Sequence, residues 1–375
     1  MKTDNRAGSP LMPDRAVLAV LSLLLATAAW AQTRPSPPRL PRTNLLVFHG
    51  KQGEVRPVKS KSDWQKRRAE ILGGMQQVMG PLPGKAKRCP LDVHVEEEKD
   101  CGNYVRRLIT YASEPGSRVP AYLLIPKEAL TAKRKFSAVL ALHPTDMQFG
   151  HRVVVEKMRD YYRAYGHDLA ERGFVVLAPA YPLMANYQPD LKALGCESGT
   201  MKAIWDNIRG LDLLDSLPFV KHGHYGVIGH SLGGHNAIYT SVFEPRIKVL
   251  VSSCGFDSFL DYYDGKPEVW QRDHGWCQTR YMLKLLDYQG RLADIPFDFH
   301  ELIGALAPRP VFINAPLRDE NFRWRSVDEI VKAASPLYAL HGARPNLRVE
   351  HPDCAHDFPE AIRMAAYDFL AANLR

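Results

Sequence analysis

A chain of 375 residues, 45% apolar and 24% charged, has the balance of an ordinary soluble globular protein and enough material for one large α/β domain or two smaller ones. Its formal charge of +8 is uneven: residues 1–31 are at +1 and residues 32–90 carry 13 Lys/Arg against 3 Asp/Glu, which leaves residues 91–375 at −3. A basic excess confined to the N-terminal part argues against a nucleic-acid-binding body and reads as a solvated arm, with an anionic surface or polymer as the alternative.

In chain order, Lys2, Arg6 and Arg15 precede an apolar run from Ala16 to Ala29, and Ala29-Trp30-Ala31 offers a small-x-small cleavage site. The run is shorter than the about 20 residues a bilayer span needs, so residues 1–31 are expected to be a cleaved secretory signal. That places the mature chain outside the cytoplasm, secreted or periplasmic, with no stable membrane span. Residues 32–90 read as a basic arm: Pro35, Pro37, Pro38 and Pro41 favour an extended linker, and Ser62 to Gln65 reads as a capping box. The box opens a helix to about Val78, expected to pack outside the main domain.

Residues 91–375 form the predicted body. The stretches 91–98 and 104–112 alternate as a hairpin, and 119–125 is a third strand. Phe136–Leu142 is an almost unbroken apolar run, as in a strand buried on both faces. A helix ending at Arg172 before Gly173, a strand over 174–178 and a helix over 201–217 follow. After Ser231 come a strand at 247–252, a long segment 255–307, a strand at 311–315, and a helix over 327–341 behind the box Ser326 to Glu329. A strand at 347–350 and a helix opening around Asp357–Glu360 complete the chain. Antiparallel strands followed by β-α alternation predict a mostly parallel sheet, of eight-stranded type, covered by helices on both faces. Of six cysteines, Cys89 and Cys101 sit at opposite ends of the predicted hairpin, beyond the about 7 Å a disulfide spans. Cys196, Cys254, Cys277 and Cys354 follow strand ends or lie in the long segment, and pairing among them stays open. None has Cys-x-x-Cys spacing, so a structural zinc site is not expected, and the sequence implies no other metal and no organic cofactor.

The chemistry centres on Gly229-His230-Ser231-Leu232-Gly233-Gly234, between a β-type run at 225–228 and a helix-compatible segment from Leu232. This is the layout of a nucleophile elbow: a sharp strand-to-helix turn raises a serine hydroxyl above the sheet, and its neighbours two residues away must be small. A serine needs a base, and the base needs an orienting acid. Strand counting places the acid at Asp319, with Glu320 as its neighbouring competitor, and the base at His356 in the last loop; His351, at a strand end, reads as structural. An acyl-transfer transition state also needs two N–H donors for its oxyanion. Leu232 follows the nucleophile, and the loop His143-Pro144-Thr145-Asp146 follows the 136–142 strand. Pro144 has no N–H, so Thr145 is the second donor, with Asp146 as fallback.

The elbow, the Asp319-Glu320-Asn321-Phe322 loop and the His356-Asp357-Phe358-Pro359 sequence resemble the α/β-hydrolase superfamily, and secreted members similar to dienelactone hydrolases and acetyl xylan esterases in particular. The resemblance covers residues 91–375 and implies a Ser231–His356–Asp319 triad. Dienelactone hydrolases proper use a cysteine nucleophile, so the serine argues against that reaction. The glucuronoyl-esterase style of elbow, with Cys and Arg flanking the serine, is absent: His230 and Leu232 stand there. Residues 255–307 join two strands with far more chain than a usual connection and are expected to form a cap over the site. Its Tyr262, Tyr263, Trp270 and Trp276, together with Trp324 and His143, are candidate substrate contacts, or the cap's rings are its own small core. The expected activity is hydrolysis of carboxylic esters through an acyl-enzyme, on a small molecule or on acyl or acetyl groups of a polysaccharide. A prolyl-oligopeptidase-like serine peptidase is the alternative, although the roughly 60 residues before the body are too few for a propeller.

Overall fold

The computed structural model describes residue 1 and residues 38–158 and 162–374; residues 2–31 of the predicted signal peptide therefore lie outside the described residues. Two short antiparallel strands, β1 (Val47–His49) and β2 (Val55–Pro57), precede helix α1 (Lys61–Met79). Ser60 caps α1, its Oγ accepting from Asp63 N at 3.1 Å, so the helix begins two residues earlier than the Ser62 box predicted. Trp64, Ile71, Met75, Val78 and Met79 share one face of α1, and all are buried in the main core. The helix is thus part of the body, contrary to expectation. A side chain on Gly74 would strike Pro296, and Trp64 packs by Gly304, both distant in sequence.

The antiparallel strands β3 (His94–Asp100), β4 (Tyr104–Glu114) and β5 (Ser117–Pro126) lead through a short helix α2 (Lys127–Thr131) to β6 (Phe136–Leu142). The alternating remainder is α3 (Tyr165–Glu171), β7 (Val175–Pro179), α4 (Gly199–Ser216), β8 (Val220–His230), α5 (Leu232–Phe243) and β9 (Ile247–Ser253). An irregular segment with short 3-10 turns then reaches α6 (Phe299–Leu306), β10 (Val311–Asn314), α7 (Trp324–Leu340), β11 (Leu347–Glu350) and α8 (Glu360–Leu374). Nine strands form one sheet in the order β11-β10-β9-β8-β6-β7-β5-β4-β3, parallel from β11 to β7 and antiparallel from β7 to β3. This is the α/β-hydrolase fold, with nine strands in place of the eight expected.

The central strands explain their sequences. Ala138, Leu140 and Leu142 of β6 point into one core with α4 and α5, while Val139 and Ala141 point into the other with α3 and α8. A strand covered on both faces has no polar side, hence the unbroken apolar run. Helix α7 also begins early, at Trp324, without a side-chain cap: Ser326 Oγ instead accepts from Ser258 N at 3.0 Å.

The basic arm is not simply solvated. Arg42 pairs with the fully buried Asp298 at 2.5 Å, and Arg39 and Arg67 reach Glu301 at 2.9 and 3.2 Å. Asp298 also accepts from Ser258 Oγ at 2.8 Å and from Phe259 N at 3.2 Å. The arm's arginines thereby neutralise two buried carboxylates, of which Asp298 fixes the start of the irregular segment.

Candidate active site

The site forms at the carboxyl ends of the parallel strands, where loops following β6, β8, β9, β10 and β11 meet. Ser231, between β8 and α5, has φ 54° and ψ −122°, a strained backbone for a residue with a side chain. Ser231 N donates to Ser253 O at 2.8 Å, which ties the turn to β9. The glycines are required by contact. A Cβ on Gly229 would lie 2.1 Å from the Gly233 carbonyl carbon, and one on Gly233 would lie 2.0 Å from Leu142 O. The turn therefore packs helix α5 directly against the end of β6, which brings the N-terminus of α5 beside the loop carrying Thr145.

Asp319 and His356 meet across sequence: His356 Nδ1 lies 2.9 and 3.0 Å from the two carboxylate oxygens of Asp319. Asp319 is buried, its side chain 1% exposed, and its Oδ1 also accepts from the N–H groups of Asn321 and Phe322 at 2.8 and 3.1 Å. With Nδ1–H donated to the carboxylate, the unprotonated Nε2 is left as the acceptor, the form a general base needs. The neighbouring Glu320 is exposed. The ring of His230, the residue before the serine, lies 5.0 Å from that of His356; burial pushes its pKa far down, so it adds no charge beside the base. His351 binds Ala315 O at 2.7 Å and Asp328 at 3.0 Å, so both its ring nitrogens are engaged elsewhere.

Cys254 Sγ lies within 4.8 Å of Asp319 and His356 ligand atoms. Burial and the Asp319 charge push its thiol pKa well up, so it stays protonated beside the acid. All six cysteines are free, so none of Cys196, Cys254, Cys277 and Cys354 pairs with another.

Ser231, Leu232 and Thr145 line one cavity of about 340 Å³. Its wall comes from the irregular segment, with Trp276, Tyr262, Tyr263 and Tyr281, and from Asn321 and Phe322 of the acid loop. Side-chain hydrogen bonds tie the segment's tyrosines to the loops beside the site: Tyr263 OH to Asn321 Oδ1 at 2.9 Å, and Tyr281 OH with Thr145 Oγ1 at 3.2 Å. Tyr281, Gln278, His274, Asn321 and Phe322 were not singled out as contacts from sequence; for the last two, adjacency to Asp319 was the available signal.

Of the six candidate contacts, Tyr262, Tyr263 and Trp276 line the cavity, and the Trp276 indole stacks on the buried His235 ring at 4.1 Å. The other three do not line it. Trp270 is 1% exposed and packs edge-on to Phe259 and Tyr262, forming the segment's own core. Trp324 lies at the start of α7 against His351 and Arg325. His143 is buried with both nitrogens engaged: Nε2 accepts from Tyr181 N at 2.9 Å, and Nδ1 is 2.7 Å from Pro144 O. Burial lowers its pKa to about 4, so it is a neutral brace for the 143–145 loop, not a substrate contact. Asp146 Oδ1 accepts from the N–H groups of Gln148, Phe149 and Gly150, capping the next turn.

Comparison with known proteins agrees with this architecture. A family described as "Glucuronyl esterase, fungi" matches residues 194–342, a stretch that holds Ser231 and Asp319 and stops short of His356. YtaP of Bacillus subtilis (strain 168), named as a hydrolase, is 26% identical over 319 residues, covering 81% of this chain and 98% of that protein. Among solved structures, a glucuronoyl esterase from Solibacter usitatus superposes with a TM-score of 0.70 at 18% identity, covering 91% of this chain and 100% of that one. Acetyl xylan esterase 1 from a Thermoanaerobacterium species does so at 0.50 and 17%, covering 82% and 94%. The match to a glucuronyl-esterase family was not foreseen, because His230 and Leu232 flank the serine here. These likenesses establish the α/β-hydrolase fold, and the family match and the hydrolase relative indicate a carboxylic-ester hydrolase.

Proposed function

We propose that the chain is a secreted serine esterase acting on esters of a polysaccharide, with Ser231 as nucleophile, His356 as general base and Asp319 as the orienting acid. The observation that carries this reading is the two-oxygen contact of the buried Asp319 with His356 Nδ1, the His356 ring lying 5.0 Å from that of His230, which directly precedes a serine held in a strained turn. His356 Nε2 takes the Ser231 proton as Oγ attacks the ester carbon. The N–H groups of Leu232 and Thr145 receive the oxyanion, and the α5 dipole favours the same charge. His356 then returns the proton to the departing alcohol. A water attacks the acyl-enzyme by the same relay, which releases the acid and restores Ser231.

The cavity argues for a sugar near the ester. At about 340 Å³ it sits at the small end of ligand pockets and is walled by aromatic rings with hydroxyl and amide groups between them. Its lining holds no Lys, Arg, Asp or Glu, which suits a neutral ring bearing hydroxyls. No helix among the described residues is long and apolar enough to cross a membrane. The test is a substrate panel of acetylated xylan, a methyl ester of glucuronic acid, 4-nitrophenyl acetate to octanoate, and peptides. Turnover of the carbohydrate and short-chain esters without peptide cleavage is expected; comparable peptide cleavage would return the reading to a peptidase.

A further inference from the structure

Residues 279–281 fold back from the irregular segment onto the N-terminus of α4. Gly199 N donates to Thr279 O at 2.9 Å, and Thr200 N donates to Tyr281 O at 3.2 Å. These are N–H groups that a helix start leaves without intrahelical partners. The approach is so close that a Cβ on Gly199 would lie 2.2 Å from Arg280 O. Tyr181 OH adds a bond to Arg280 O at 3.0 Å. Three successive residues are therefore fixed to the body, though they lie within the predicted cap.

From this base the Tyr281 phenol reaches Thr145 Oγ1 at 3.2 Å. Its ring is 6% exposed, with Trp276 at 5.2 Å and Tyr181 at 6.2 Å. Burial raises its pKa above the ordinary phenol value, so it stays neutral and able to donate. Tyr181 also gives its N–H to His143, so the 143–145 loop is braced at one end through His143 and at the other through Tyr281. We infer that Tyr281 is a positioning residue for catalysis, its phenol holding the Thr145 hydroxyl so that Thr145 N–H points at the oxyanion. This inference rests on the Ser231 acyl-enzyme reading above.

The test combines steady-state hydrolysis of 4-nitrophenyl acetate with the rate at which a fluorophosphonate labels Ser231, mapped by peptide mass. Wild type, Tyr281→Phe, Thr145→Val, the double variant and Thr145→Ser are compared. Tyr281→Phe and Thr145→Val should each lower kcat by about 10- to 100-fold with KM little changed, and labelling should slow in parallel. The double variant should lose no more than either single one, and Thr145→Ser, which keeps the hydroxyl, should lose clearly less than Thr145→Val. Additive losses, or wild-type rates in Tyr281→Phe, would overturn the positioning role while leaving the triad standing. A wild-type enzyme that labels elsewhere than Ser231 would overturn the acyl-enzyme reading and this role with it.

Discussion

Acid should weaken the protein through His143, and the structure gives the size of the effect. Its Nε2 accepts the Tyr181 N–H, which a protonated imidazole cannot do, and burial lowers its pKa to about 4 against 6.5 for the free side chain. Between those values the unfolded chain binds more protons than the folded one. The stabilisation is therefore complete above pH 6.5 and is lost as pH falls toward 4. Linkage puts the loss at about 2 kcal/mol at pH 5 relative to pH 8, and about 3 kcal/mol once pH 4 is passed. His151 and His235, each pushed down to about 3 by burial, add losses of the same sign, so wild type alone cannot isolate His143. His143→Gln keeps an acceptor for Tyr181 N and removes the titration. Urea unfolding of both proteins at pH 8 and pH 5 measures the difference. The stability gap between wild type and variant should shift by about 2 kcal/mol in the variant's favour at pH 5. An unchanged gap would refute the assignment of His143 as a buried neutral brace.

Asp319→Asn should lower kcat by about 10⁴, because the amide no longer holds the His356 tautomer, whereas Glu320→Gln, at an exposed position, should leave kcat close to wild type. Steady-state kinetics of the two variants decides the acid, and the reverse pattern would exchange their roles. Arg42→Ala strands the buried Asp298 and should destabilise by about 3–5 kcal/mol, seen as a lowered urea midpoint. Arg56→Ala, whose pair with Glu54 is exposed, should have little effect, and equal losses would argue that the arm's inward arginines carry no structural load.

Sequence was most informative where local chemistry is restrictive. The elbow is legible because Gly229, Gly233 and Gly234 each lack room for a side chain, and no other residue type meets that demand. β6 is legible because burial on both faces leaves no polar positions. Helix starts were harder: Ser60 and Ser62 each precede an acceptor or amide by three residues, and Ser326 Oγ serves Ser258 rather than its own helix. The tryptophans illustrate the larger limit. Trp270 and Trp276 are six residues apart in the same segment, yet one is core and the other cavity wall. That distinction is set by Phe259, Phe322 and His235, which the chain brings together only on folding. The arm's arginines were misplaced for the same reason, since Asp298 and Glu301 lie more than 200 residues away in sequence.

The central claim is that an ester's acyl group passes through Ser231. The direct measurement is peptide mass analysis of enzyme quenched in acid during turnover of a 4-nitrophenyl ester, alongside Ser231→Ala. An acyl adduct on the Ser231 peptide of wild type is expected, with neither adduct nor turnover in a variant that keeps its thermal unfolding transition. An adduct on another residue, or substantial turnover by Ser231→Ala, would contradict the account.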